Sequence, residues 1–176
     1  MCVILINIKR DINLVGNNMI NWDLVNYFKP EEFSENPDIY AEPDLIYALD
    51  KTRKKLKHKI NPSPIPGALA RFDDGSSTSR HYVDLAKNKK SIAVDVFCDC
   101  NPTEMFITAL DSRLWRGIGI YFDTFYNNEL HCMFHLDRRQ GVNKTAIWFR
   151  DTRKYNYQSN ISFWQNLSIL LSKVQK

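Results

Sequence analysis

The strongest constraint on this chain is the run HCMFHLD at 131–137, in which apolar and polar side chains alternate. That two-residue period is the period of a strand, whose successive side chains point to opposite faces. Cys132, Phe134 and Leu136 share one side, which reads as the core face, while His131, Met133, His135 and Asp137 share the other. A histidine and a carboxylate two positions apart on one face have Cα atoms about 6–7 Å apart by strand rise. Such a pair can ligate one metal ion, or one member can orient the other behind it. Both can equally be polar residues on a wet strand face. A second strand is expected at 91–97 (SIAVDVF), from its β-branched content. There Ile92, Val94 and Val96 face one side, and Ser91, Ala93, Asp95 and Phe97 the other. A carboxylate rising from that otherwise apolar strand is costly without a partner, which a cation or an arginine supplies.

The remaining chain supports a single domain. At 176 residues, with 44% hydrophobic and 25% charged side chains, it is neither a disordered tail nor a coiled coil. No stretch approaches the ~20 apolar residues of a membrane span. The opening MCVILINIKR is too short in its apolar part for a secretory leader and lacks a basic start. Synthesis in a cytoplasm is the expectation, and the four cysteines fit it: Cys98 and Cys100 lack the two-residue gap of a zinc knuckle or redox motif. Net charge is +4, yet the run KTRKKLKHK at 51–59 holds six basic residues and no acid, leaving 18 basic against 20 acidic residues elsewhere. The run continues a helical seam of Leu45, Leu49, Thr52 and Leu56. It reads as a solvated helix face, with a basic surface for an anionic polymer such as a nucleic acid as the lesser alternative.

Along the chain, residues 1–20 form an arm or strand of unassigned role, and 21–176 the domain. A short helix is expected at 21–28 and a longer one at 44–57, with Pro43 at its first position. NPSPIPG at 61–67 cannot be regular. GALARF at 67–72 reads as a strand, and DDGSSTS at 73–79 as a polar loop. A helix at 102–114 has its cap near Thr103. Strands follow at 117–122, 131–137 and 145–150, close enough together for a meander. An amphipathic helix closes the chain at 161–174. Helices early and late around several strands make an α+β fold, an antiparallel sheet flanked by helices.

Histidine 81, in SRH after the polar loop, completes a set with Asp95 and His135: two imidazoles and one carboxylate on separate elements. That is a usual ligand set for catalytic zinc, which keeps its fourth position for water. His58, inside the basic run, has no such context.

The stretches STSRHY, SIAVDVF, GIGIYF and HLDRR resemble the zinc D-Ala-D-Ala carboxypeptidases and related peptidoglycan endopeptidases of the hedgehog/D,D-peptidase fold, most closely their small phage-borne branch. The family's Ser-x-His, Ala-x-Asp and His-x-Asp match Ser79 with His81, Ala93 with Asp95, and His135 with Asp137. YFKPEEF resembles the family's amino-terminal segment, and GALARF its Arg-bearing strand. The similarity spans roughly residues 21–150. It implies a zinc-dependent hydrolase of amide bonds in wall stem peptides, encoded by a phage as an endolysin or virion-associated enzyme and acting at the wall or within a virion. Metal ligands would be His81, Asp95 and His135. Arg71 would hold the developing oxyanion or a substrate carboxylate, although it can also pair with Asp73 or Asp74. Ser79 would hydrogen-bond the site.

Two departures stand out. His81 and Asp95 are separated by 14 positions where typical members have seven, so YVDLAKNKK reads as an inserted loop. Many members place an acidic general base three residues before the last His; Cys132 occupies that position here. His131, Asp137 and, with less support, Glu129 are the replacements. The missing acid bears on catalysis rather than on metal binding, and admits a catalytically weak or inactive relative serving as a structural part of a phage particle.

Overall fold

The computed structural model describes residues 19–73, 77–141 and 144–174, so the amino-terminal arm falls almost wholly outside the described residues, as does Asp74. The fold is mixed α+β. Helices α1 (Pro37–Tyr40) and α2 (Pro43–Leu56) precede strand β1 (Ile60–Pro62) and strand β2 (Ala93–Cys98); α3 (Pro102–Ser112) follows. Then come β3 (Gly117–Tyr126), β4 (Glu129–Asp137), β5 (Ala146–Asp151), β6 (Lys154–Tyr157) and α4 (Phe163–Lys173). The strands form one six-stranded open sheet in the order β1-β2-β4-β3-β5-β6, antiparallel except where β5 lies parallel to β3.

The alternation read from the sequence sorts the two faces. Val94, Val96, Ile118, Ile120, Phe134, Leu136, Ile147 and Phe149 are buried in one core with Leu45 and Leu49 of α2, Met105 of α3 and Phe163 and Leu167 of α4. The helical seam is buried along its length, with Thr52 Oγ1 accepting from the Trp115 indole at 2.9 Å. Lys51, Lys54, Lys55 and Lys57 lie on the exposed side of α2 or at its end. Arg53 turns inward, donating to the Tyr27 carbonyl at 2.7 Å. No helix among the described residues is long and apolar enough to cross a membrane.

Several expectations are corrected. Residues 67–72 are not a strand. Gly67 has φ 84°, and the Glu35 carboxylate accepts from the backbone N–H groups of Gly67, Leu69 and Ala70, so a side chain takes bonds a ladder would otherwise make. Only the bridge Arg71–Tyr82 remains. Conversely, the proline-rich segment does begin as a strand: Asn61 and Pro62 belong to β1, an edge strand, where a missing N–H is tolerated. The helix expected at 21–28 is a single 3₁₀ turn, Trp22–Leu24. Helix α3 is capped by Asn101, whose side chain accepts from the Thr103 N–H at 2.8 Å, and it ends where Arg113 turns left-handed.

The meander is also corrected. β3 and β4 form a hairpin, but the chain then passes the start of β3 and lays β5 on its other edge. The strand β6 was not expected; it is short and polar, and its turn at Thr152–Arg153 has positive φ at both residues without the Asn-Gly signal of such turns.

Face-opposite-core positions of β3 carry Gly117 and Gly119. A Cβ on Gly119 would stand 2.6 Å from the Trp148 indole, so glycine is what lets that ring lie across the sheet. Gly119→Ala is expected to destabilise the fold by about 1–3 kcal/mol, the cost of overpacking a rigid ring. Denaturant unfolding checks this.

Candidate metal centre

Two strands and one loop supply the site. β2 and β4 pair with Asp95 directly opposite His135 and Ala93 opposite Asp137, on the face away from the helices. The third residue, His81, arrives on the loop before β2. Its backbone is tied down by the Arg71 N–H donating to its carbonyl at 2.8 Å and by its own N–H donating to Ser79 Oγ at 3.2 Å. Ile92 N–H bonds the Arg80 carbonyl, stitching the same loop to the entry of β2. The segment between His81 and Asp95 contains the Leu85–Lys87 3₁₀ turn and returns to place both residues together.

His81 Nε2, Asp95 Oδ1 and His135 Nδ1 converge. The two ring nitrogens are 2.9 Å apart, His135 Nδ1 is 2.9 Å from Asp95 Oδ1, and His81 Nε2 is 3.3 Å from the same oxygen. A tetrahedral ion with bonds of 2.0–2.1 Å holds its ligands about 3.3 Å apart. The donor triangle therefore lies close to ligand spacing and can hold a metal ion. All three residues are buried, at 1%, 4% and 6% exposure respectively.

Behind His135 the arrangement continues. Its Nε2 faces Asp137 Oδ2 at 3.3 Å, which assigns one N–H to that side, so that the proton a metal would displace is the one on Nδ1, facing the cluster. Asp137 is fully buried and is held by Arg139, whose Nε donates to Oδ1 at 2.8 Å and whose backbone N–H bonds the same oxygen. Arg139 in turn stacks on Trp148, and the Trp148 ring lies 5.2 Å from the His135 ring. His81 has no such support: its Nδ1 is buried without a hydrogen-bond partner among the described residues.

The electrostatics follow from this asymmetry. Burial pushes the His81 imidazole below its ordinary value. Burial also opposes charge on His135, but Asp137 and Asp95 outweigh it and raise that imidazole to about 9. Asp95 is desolvated yet held well below the usual carboxylate range by His81 and His135; Asp137 is desolvated and held low by Arg139 and His135.

The other residues singled out from the sequence divide. Arg71 stands at the rim, its Nη2 3.8 Å from Asp95 Oδ2 and its Nε donating to the Gly67 carbonyl, so Asp95 has both an arginine and the two imidazoles beside it. Ser79 shapes the turn that carries His81. Asp137 is an orienting partner, locked by Arg139, rather than a free base. His131 is not at the cluster: four strand positions separate it from His135, about 13 Å by strand rise. It packs against Phe97 and Tyr126, with Glu129 3.9 Å away. Cys132 faces the core, where burial raises its thiol far above the ordinary value. Arg139, Trp148 and Tyr121, whose ring is 6.5 Å from His135, were not picked out. Arg139 had a signal in its place two residues beyond Asp137; Trp148 and Tyr121 reach the site only through strand pairing.

Comparison with known proteins finds no family model, no curated protein and no solved structure that matches this chain significantly.

Two outcomes are expected. Asp137→Asn should weaken metal affinity by about 10–100-fold, the usual effect of losing a ligand's orienting partner, with secondary structure retained by circular dichroism. Without metal, His135 stays protonated up to about pH 9, so its ion pairs support the fold fully below its ordinary value near 6.5 and are lost as pH rises through about 9. A metal must displace that proton, so affinity should rise up to about tenfold per pH unit toward pH 9 and then level, in a zinc titration across that range.

Proposed function

We propose that the chain is a zinc-dependent hydrolase of amide bonds in peptidoglycan stem peptides, built on a hedgehog/D,D-peptidase-like arrangement and phage-encoded. The observation that carries this reading is the His81–Asp95–His135 triangle with Asp137 behind His135. Two imidazoles and one carboxylate suit zinc and leave a tetrahedral position for water. The resemblance of the SRH, AVD and HLD segments to the wall peptidases supports the substrate class.

His81, Asp95 and His135 would hold the zinc, which would supply Lewis acidity toward a scissile carbonyl and a water of lowered pKa. This chain's residues do the rest. Asp137, fixed by Arg139, keeps the His135 ring in the tautomer that presents Nδ1. Arg71, more than a third exposed beside Asp95, is placed to meet a developing oxyanion or a peptide carboxylate. Tyr121 stays a neutral donor because burial, reinforced by Asp95, raises its phenol.

A second reading, a weakly active or inactive relative serving as a component of a phage particle, is favoured by Cys132. At the position of the usual acid stands a core-facing thiol, and Asp137 is already engaged. Loss of a general base forfeits about 10²–10⁴-fold in rate.

Purified protein should carry one zinc per chain and release peptide fragments slowly from muropeptides, both abolished in His135→Ala. Failure to retain zinc after refolding with the metal would defeat the proposal. Zinc retention without any turnover would select the second reading.

A further inference from the structure

At the end of the sheet where β3 begins and β4 ends, a pocket of about 410 Å³ is lined by four guanidinium-bearing residues, Arg113, Arg116, Arg138 and Arg139, with Leu114 and Gln140. They come from two places in the chain: the turn that follows α3 and the segment leaving β4. Their backbones are tied down. Arg113 N–H bonds the Leu110 carbonyl, Arg116 N–H bonds the Asp137 carbonyl at 2.8 Å and Arg138 N–H bonds the Ile92 carbonyl at 2.9 Å. Arg139 is clasped by Asp137 and stacks on Trp148.

The charges do not balance. Arg139 is paired with Asp137, and Arg138 reaches Asp44 at 3.4 Å. Among the described residues Arg113 and Arg116 have no acidic partner. Like charges gathered round one pocket repel, and a bound anion removes that repulsion. Guanidinium forks match phosphate oxygens in pairs, a geometry lysine cannot offer. Backbone anchorage fixes where the four side chains begin, so the loops themselves need no ordering on binding.

We propose that this pocket binds a dianionic phosphate group, such as a phosphate monoester, with Arg113 and Arg116 as its principal partners and Arg138 and Arg139 as the wall behind them. Asp137 stands between Arg139 and His135, so the pocket lies beyond the three metal donors, and Arg113 and Arg116, its principal partners, neither hold nor orient them.

The test is a titration of isotope-labelled full-length protein with methyl phosphate above neutral pH at constant ionic strength, followed by amide chemical shifts. Saturable shifts centred on 113–116 and 138–141 are expected, with affinity reduced at least about tenfold in the Arg113→Gln/Arg116→Gln variant. Both residues are exposed, so the variant should keep its fold and its metal content. Dimethyl phosphate, a monoanion, should bind more weakly than methyl phosphate by a similar factor. Unchanged affinity in the variant, equal binding of the two esters, or shifts centred instead on 81, 95 and 135 or on the basic run at 51–59 would overturn the assignment.

Discussion

The pairing of β2 with β4 in the register that sets Asp95 against His135 is the constraint on which the rest depends. A one-residue slip of β2 against β4 would turn Asp95 into the helix-packed core and bring Val94 or Val96 out to the open face, leaving His135 without its partner. The core enforces the register from the other side, because Val94, Val96, Phe134 and Leu136 can be buried together only when Asp95 and His135 face away from them. Apolar packing and site assembly are therefore one event, and the cost of desolvating a carboxylate and two imidazoles is borne by a sheet already committed to that alignment.

Support of the donors is uneven, and the unevenness has chemical meaning. His135 is held by Asp137, which is held by Arg139, which lies on Trp148, which Gly119 admits. Each link limits the freedom of the one before it. Outside the cluster itself, His81 is held through its backbone, by the loop that Ser79, Arg71 and Arg80 stitch to β2. The sheet thus supplies the donor with a side-chain support behind it, and a loop the donor without one.

Much of the site was legible because strand periodicity is local. Alternation in HCMFHLD and SIAVDVF was enough to separate core residues from cluster residues, and the spacing of His135 from Asp137 already admitted an orienting pair. Local reasoning failed where partners come from afar. Glu35 takes the backbone donors of the segment at 67–70 and prevents a strand there, from a position more than thirty residues earlier. The parallel placement of β5 beside β3 depends on which strand edge remains open after the hairpin closes, a property of the assembled sheet. His131 shows the same limit: it shares a strand face with His135, but sharing a face says nothing of reach along the strand.

The sequence by itself determined which residues could be donors, which faces are apolar and that the chain is α+β with a largely antiparallel sheet, because these follow from residue type and a two- or 3.6-residue period. Only the tertiary structure decided that His81, fourteen positions from Asp95, closes the triangle, that Asp137 is bound to Arg139 instead of free, and that four arginines meet around one pocket. Those outcomes depend on loop paths and strand order, where the free energy is set by contacts between residues far apart in the chain and leaves no periodic trace in it.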